Sequence, residues 1–394
     1  MAESITRTSA YSGRAPARRL LRAVAVVGSF GLALGALSAC GSSQEPPKVN
    51  VKVGEAPSYY PDSYADIIKG SKAEGGTLDI YSNTDQSNWD PIFRAFTEKY
   101  PWVKKISANN LDSDEVFQRY LSEQATGESP ADMLVTNAAQ AWGEFNEKNS
   151  DKLMKYDSPE KPKLPSFAEP LPNVYAFSMD PVTLSYNSEL LGGKPTSLAD
   201  LAAIIKKDPK KFENKITERA VDGSFGFTVS QAYAAAAPNA WNTLSDVLKY
   251  ARPEDSSGTQ IDKIESGEYL AGFFISAAVA YPAEEDSGGL FKAVYPKDGT
   301  PVLPRGIAIA STAPHPNTAK LFLDFLLSQE GQQAVAEGGL TSYRSGVKAG
   351  YGVHTYQELV GDVGEQNIIQ VKYDALSDDE VNSFVDKWNG LMGE

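Results

Sequence analysis

The sequence predicts an α/β protein of two lobes, each a mostly parallel sheet flanked by helices. Three observations lead there. From Thr77 onward, short apolar runs alternate with amphipathic stretches, the pattern of strand-helix units whose sheet is covered on both faces. Residues 41–62 carry Gly41-Ser42-Ser43, Pro46-Pro47, Pro57 and Pro61 without periodic apolar positions and read as a tether. The roughly 335 residues beyond it exceed one ordinary core and divide into two.

The elements follow in order. The first 39 residues have the three parts of an export signal: Arg14, Arg18, Arg19 and Arg22, an uncharged stretch over 23–34, then small residues ahead of Cys40. That stretch is too short to span a bilayer. Arg18-Arg19 also invites a twin-arginine reading, but the residues after the pair match that signal poorly. A helix over 64–73 sets Tyr64, Ile67, Ile68 and Ser71 on one face, with Gly75 beyond its end. A strand over 78–81 precedes a helix marked by Trp89, Ile92, Phe93 and Phe96, with Pro91 in its first turn. Val116, Phe117, Tyr120 and Leu121 mark another helix, then a strand over 133–136, then a helix with Trp142 and Phe145.

After a loop rich in proline, a strand is expected over 180–186, and Ser197 and Asp200 cap a helix carrying Leu198, Leu201, Ala202 and Ile205. Helices over 231–236, 241–251 and 261–266 and a strand over 271–275 follow. A strand over 306–310 leads to a helix opened by Pro316. The last helix has Ser377 and Glu380 as a capping box, with Asp378 and Asp379 in its positive first turn.

The 394 residues carry a net charge of −14, and about −18 once residues 1–39 are removed. An acidic body argues against nucleic acid as a partner and against adhesion to anionic lipid. Two histidines, His315 and His354, and the single cysteine Cys40 leave little for a zinc site or a thiol nucleophile. The chain has no nucleophile elbow, no metal-binding histidine spacing and no phosphate loop. A non-enzymatic protein with no cofactor is expected. A secreted hydrolase using paired carboxylates or a sensor protein is a further alternative, though a solvated acidic surface explains the Asp and Glu content more simply than a hydrolase does.

Two resemblances then sharpen the reading. Leu37-Ser38-Ala39-Cys40 resembles the bacterial lipobox, which implies that Cys40 carries a lipid and holds the chain on the extracytoplasmic face of the membrane. The segments Ser82-Asn83-Thr84-Asp85, Ser129-Pro130-Ala131-Asp132-Met133-Leu134, Tyr186-Asn187 and above all 313–332, beginning Ala313-Pro314-His315-Pro316-Asn317, resemble the extracellular solute-binding proteins of ABC importers. The subgroup is the one with the ferric-iron and organophosphate binders. The resemblance implies a type 2 periplasmic-binding-protein fold with two crossover strands, ligand in the cleft, and lobe closure on binding. It also implies a monomer whose partners are a permease and its ATPase. The expected boundaries are a signal over 1–39, Cys40 and tether over 40–62, lobe one over 63–178, lobe two over 179–303, and a return to lobe one with C-terminal helices over 304–394.

Ligands in open α/β sheets meet the carboxyl ends of strands and the helix starts that follow. That rule selects Ser82, Asn83, Thr84 and Asp85, then Thr136 and Asn137, then Ser224. Hydroxyls, amides and free helix N-termini suit an anion, whereas Asp85 suits an ammonium, a sugar hydroxyl or a metal. The same residue types are preferred N-caps, so each either touches ligand or only starts its helix. Arg305, ahead of the return crossover, and Tyr343 and Arg344, in a turn resembling the family's tyrosine-containing one, complete the candidates. An arginine there forks onto a phosphate or carboxylate, or makes a structural ion pair.

Ferric binders typically carry two adjacent tyrosines after a Gly-Glu pair. Here Gly267-Glu268 is followed by Tyr269-Leu270-Ala271, without the pair. A small organic anion such as a phosphorylated or phosphonate compound is therefore the leading ligand, and ferric iron the alternative, with Tyr269, Tyr281 or Tyr343 contributing from elsewhere.

Overall fold

The computed structural model describes residues 52–113, 115–128, 131–350 and 353–393. The export signal, Cys40 and the first half of the tether lie outside the described residues. The first half holds α1 (Tyr64–Ala73), β1 (Thr77–Ser82), α2 (Gln86–Lys99), β2 (Lys105–Asn110), α3 (Glu115–Ala125), β3 (Met133–Thr136) and α4 (Ala139–Asn149). The long strand β4 (Tyr175–Asn187) leads to α5 (Leu198–Lys207), β5 (Ile216–Arg219), α6 (Ser224–Ala236), α7 (Ala240–Leu248), β6 (Ala251–Glu254), α8 (Ser257–Glu265), β7 (Ala271–Ser276), α9 (Ala277–Asp286) and β8 (Phe291–Val294). Then come β9 (Thr300–Ile309), α10 (Pro316–Leu327), α11 (Gln329–Glu337), α12 (Tyr356–Val363), β10 (Ile368–Gln370) and α13 (Asp378–Met392).

The strands run in the order β2-β1-β3-β9-β4-β7-β5-β6, with β10 beside β9 and β8 beside β4. Parallel pairs β1/β2, β1/β3, β5/β6 and β5/β7 form the two ends. Two antiparallel strands join them: β4 pairs with β9 over Tyr175 to Pro181, and with β7 and β8 over Val182 to Asn187. All 13 positions of β4 are buried, which suits a strand covered on both faces. This strand begins five residues before the segment expected from sequence, because Tyr175 to Met179 pair with β9 despite Ser178 and the preceding loop.

Helix packing follows the apolar stripes. In the first half Trp89 stacks on Phe177 with ring centroids 5.5 Å apart, and Phe96 meets Phe322 edge-on at 4.9 Å, as aromatic quadrupoles prefer. The helix containing Pro91 starts at Gln86, so the proline lies inside it rather than in its first turn. The tether does not stay free to residue 62: Tyr60 is buried and its hydroxyl donates to Glu160 Oε1 at 2.7 Å. At the other end α13 rests on α6 and α7, with Phe384 5.4 Å from Phe227 and 5.6 Å from Trp241. Both the Ser377/Glu380 box and the Ser197 cap form. Among the described residues, no helix is long and apolar enough to cross a membrane.

Candidate functional site

Strand ends from both halves converge on a polar cavity of about 270 Å³. The first half contributes Asn83, Asp85 and Asn88 after β1, Ser113 before α3 and Asn137 after β3. The second contributes Arg219 at the end of β5, Phe225 in the first turn of α6, and the serines 256, 257 and 276 at the starts of α8 and α9. Arg305, on the connecting strand β9, lies between them.

Local hydrogen bonding orients these groups. Asn83 Nδ2 donates to Ser113 Oγ at 2.9 Å and to Asn137 Oδ1 at 2.7 Å, while its Oδ1 accepts from Arg305 Nη1 at 3.3 Å. Arg305 Nη1 also donates to Thr84 Oγ1 at 2.8 Å, and its Nε donates to Asp180 Oδ2 at 2.8 Å. Arg305 is only 6% exposed, and its Nη2 makes no hydrogen bond to the described residues. On the facing wall Arg219 Nη1 donates to Glu254 O at 3.1 Å, and its guanidinium sits 5.2 Å from the Phe225 ring centroid. Burial draws the Arg219 pKa below its ordinary value, and the charges of Asp255 and Glu218 oppose that shift. The helices α2, α8 and α9 begin at the cavity and add the partial positive charge of their free N–H groups. Arg305 is ion-paired with Asp180, and the Arg219 guanidinium and three helix starts add positive character; among the described residues one carboxylate, the solvent-exposed Asp85, lines the cavity. This arrangement attracts anions.

Of the residues expected from sequence, Asn83, Asp85, Asn137 and Arg305 line this cavity. Ser82, Thr84 and Thr136 are buried behind it. Ser82 Oγ accepts the Thr84 N–H and the Trp89 indole N–H, and Thr136 Oγ1 accepts the Ala138 N–H, so these hydroxyls hold the loops. Ser224 faces a separate cavity of about 700 Å³. Tyr343 and Arg344 are not brought to the cleft: the Tyr343 hydroxyl donates to Ala176 O at 2.6 Å, and Arg344 pairs with the buried Glu160. Burial and that pairing consume the groups that the sequence offered as ligand contacts.

Sequence reasoning missed Arg219, Asn88, Ser113 and the serines at α8 and α9. The strand-end rule applied to Ile216-Thr217-Glu218-Arg219 finds Arg219, but a four-residue strand carrying two charges has no apolar run to announce it.

None of the described residues lining the polar cavity is a tyrosine. Tyr269 donates to Glu254 Oε1 at 2.7 Å, and Tyr281 lines a different cavity with Tyr295 and His354. Among the described residues, Asp79, Asp132 and His315 come close enough to share an ion, away from the polar cavity. The Asp132 carboxylate there already accepts the Asp79 and His315 backbone N–H groups and faces His315 Nδ1 at 3.0 Å. It serves as a cap for the turn into α10.

A converging polar cleft between two sheet ends joined by crossing strands is the plan of a solute-capturing protein. Residues 92–359 match the family of bacterial extracellular solute-binding proteins, and the chain belongs to that family. Iron uptake protein A1 of Synechocystis sp. (strain ATCC 27184 / PCC 6803 / Kazusa) is 23% identical over 342 residues, covering 81% of this chain and 84% of the relative. The substrate-binding protein of an ABC transporter from Agrobacterium tumefaciens superposes with a TM-score of 0.70 at 18% identity, covering 81% of this chain and 96% of the other. The periplasmic binding protein AfuA from Actinobacillus pleuropneumoniae, solved with fructose-6-phosphate, gives 0.61 at 19% identity, covering 81% and 99%. These likenesses show the fold of type 2 periplasmic binding proteins. The homologues are solute-binding proteins of transporters and not enzymes.

Proposed function

We propose that this chain is the lipid-anchored receptor of an ABC importer, capturing a small organic anion with a phosphate or phosphonate group and delivering it to the permease. The observation that carries the reading is the placement of Arg219 and Arg305 on one cavity that none of the described tyrosines lines. Arginine forks match the oxygens of such groups, and helix N-termini add donors without a countercharge. Ligand that touches Arg219 and Asn83 together bridges the two halves and stabilises the closed state. The halves divide near 178 and 303, where β4 and β9 cross, and residues after 303 return to the first half before α13. The export signal over 1–39 and Cys40 supply the anchor on the extracytoplasmic face, and the body works as a monomer.

The alternative is ferric iron, favoured by the name of the Synechocystis relative. Fe(III) needs several hard oxygen anions, and among the described residues this cavity offers one carboxylate.

Thermal-shift titration with inorganic phosphate and methylphosphonate tests the reading. Stabilisation that Arg219→Ala and Arg305→Gln both abolish is expected. Stabilisation by ferric citrate alone, unchanged in both variants, contradicts it. The anchor is tested by metabolic labelling with a fatty acid, which Cys40→Ser should abolish.

A further inference from the structure

We propose that the ligand site has two compartments, the polar cavity holding the anionic group and the larger cavity beside it holding an apolar, aromatic-sized body of the same molecule. This inference rests on the anion reading above. The polar cavity, at about 270 Å³, falls below the ~300–1,000 Å³ of pockets that enclose a whole organic ligand, whereas its neighbour, at about 700 Å³, falls within that range.

The two are lined by neighbouring residues of the chain, though no described residue lines both. Ser113 and Asn137 line the polar cavity, and the next turns of α3 and α4, at Phe117 and Ala141, line the larger one. In the other half Arg219 and Phe225 line the polar cavity, while Val221 and Ser224, between them in sequence, line the larger one. Phe225 marks the seam, with the Arg219 guanidinium over its ring. An anion held by Arg219 therefore lies two residues along the chain from Val221, which lines the second cavity.

The second cavity is built for an apolar body. The Phe117 and Phe145 rings stack at 4.6 Å and 25°, and Val381 and Val385 of α13 also line the cavity. Its charged lining residues, Glu144, Lys148, Asp222 and Asp378, are all exposed and sit at the mouth. An apolar interior with a polar rim is the usual composition of an organic-ligand pocket.

Three probes and two cavity-filling variants test this. Inorganic phosphate, 1-naphthyl phosphate and uncharged 1-naphthol are titrated by calorimetry into the wild-type protein, Ala141→Trp and Val385→Trp, whose substitutions enter the larger cavity from α4 and α13 at partly exposed positions. In the wild type, 1-naphthyl phosphate is expected to bind at least tenfold tighter than inorganic phosphate. Both variants should remove that advantage and leave inorganic phosphate binding unchanged. Equal affinity for the two phosphates in the wild type, or an advantage that survives both variants, overturns the two-compartment site while leaving the anion reading intact. If neither phosphate binds but 1-naphthol does, and both variants abolish its binding, the anion reading falls and the apolar compartment stands. If no naphthyl probe binds, the inference is overturned.

Discussion

Arg305 Nε donates to Asp180 Oδ2 across 2.8 Å, with both side chains almost wholly buried, and this pair ties β9 to β4 where the two strands cross. The same guanidinium reaches Thr84 and Asn83 through Nη1, so one arginine links the crossing strands to the cleft wall. Asp180 also accepts from Ser178 Oγ at 2.8 Å, which aims its carboxylate at Arg305. The pair is thus a frame for the cleft as well as a neighbour of it.

Asp180→Ala leaves the Arg305 charge buried without its partner. A loss of about 3–5 kcal/mol in unfolding free energy is expected, as for other broken buried pairs. Denaturant unfolding measures it. A loss below about 1 kcal/mol, the value of an exposed pair, contradicts the framing role.

Arg344 and Arg219 should separate stability from binding. Arg344 pairs with buried Glu160 and donates to Lys163 O at 3.0 Å, so Arg344→Ala should cost about 3–5 kcal/mol of stability. Inorganic phosphate should bind the folded Arg344→Ala protein as it binds the wild type. Arg219→Ala should instead weaken phosphate binding by roughly 10- to 100-fold, the equivalent of one charged hydrogen bond. Equal effects of both variants on affinity, read by calorimetry, would place Arg344 in the site after all.

Asp324 gives a pH dependence. Burial pushes its carboxyl up to about 7, against the lowering effect of the Ser158 and Tyr156 hydrogen bonds. An unfolded aspartate titrates near ~4, so between about pH 4 and 7 the native chain holds the extra proton. The stabilisation from this group is complete below about pH 4 and declines as pH rises through 7. Asp324→Asn carries no titrating group there, so its stability relative to the wild type should rise from pH 5 to pH 8. A pH-independent difference, measured by thermal unfolding across that range, contradicts the assignment.

The closing helix offers a local test. Ser377 accepts the Glu380 N–H, and Glu380 reaches back to the Ser377 N–H. Ser377→Ala should cost about 1 kcal/mol and raise hydrogen exchange in the first turn of α13. Exchange unchanged in that turn would show that Phe384 and Trp388 packing alone holds the helix.

The fold was largely legible because its signals are local. Apolar stripes mark α2, α4 and α10, and side-chain chemistry marks the starts of α5 and α13. The site was legible only where a strand end also faces the cleft, as at Asn83, Asp85, Asn137 and Arg305. Ser82 and Thr136 look the same in sequence, since a buried cap and a ligand contact use the same residue types. Arg344 was opaque for another reason: its partner Glu160 lies 184 residues away, and no spacing rule reports that distance. Arg219 hides in a short charged strand that becomes a strand only by pairing with β6 and β7.

Native mass spectrometry of the purified protein, combined with metal analysis, tests the central claim most directly. The account predicts an organic adduct carrying phosphorus, no stoichiometric iron, and loss of the adduct in Arg219→Ala. Stoichiometric iron retained in Arg219→Ala would contradict it.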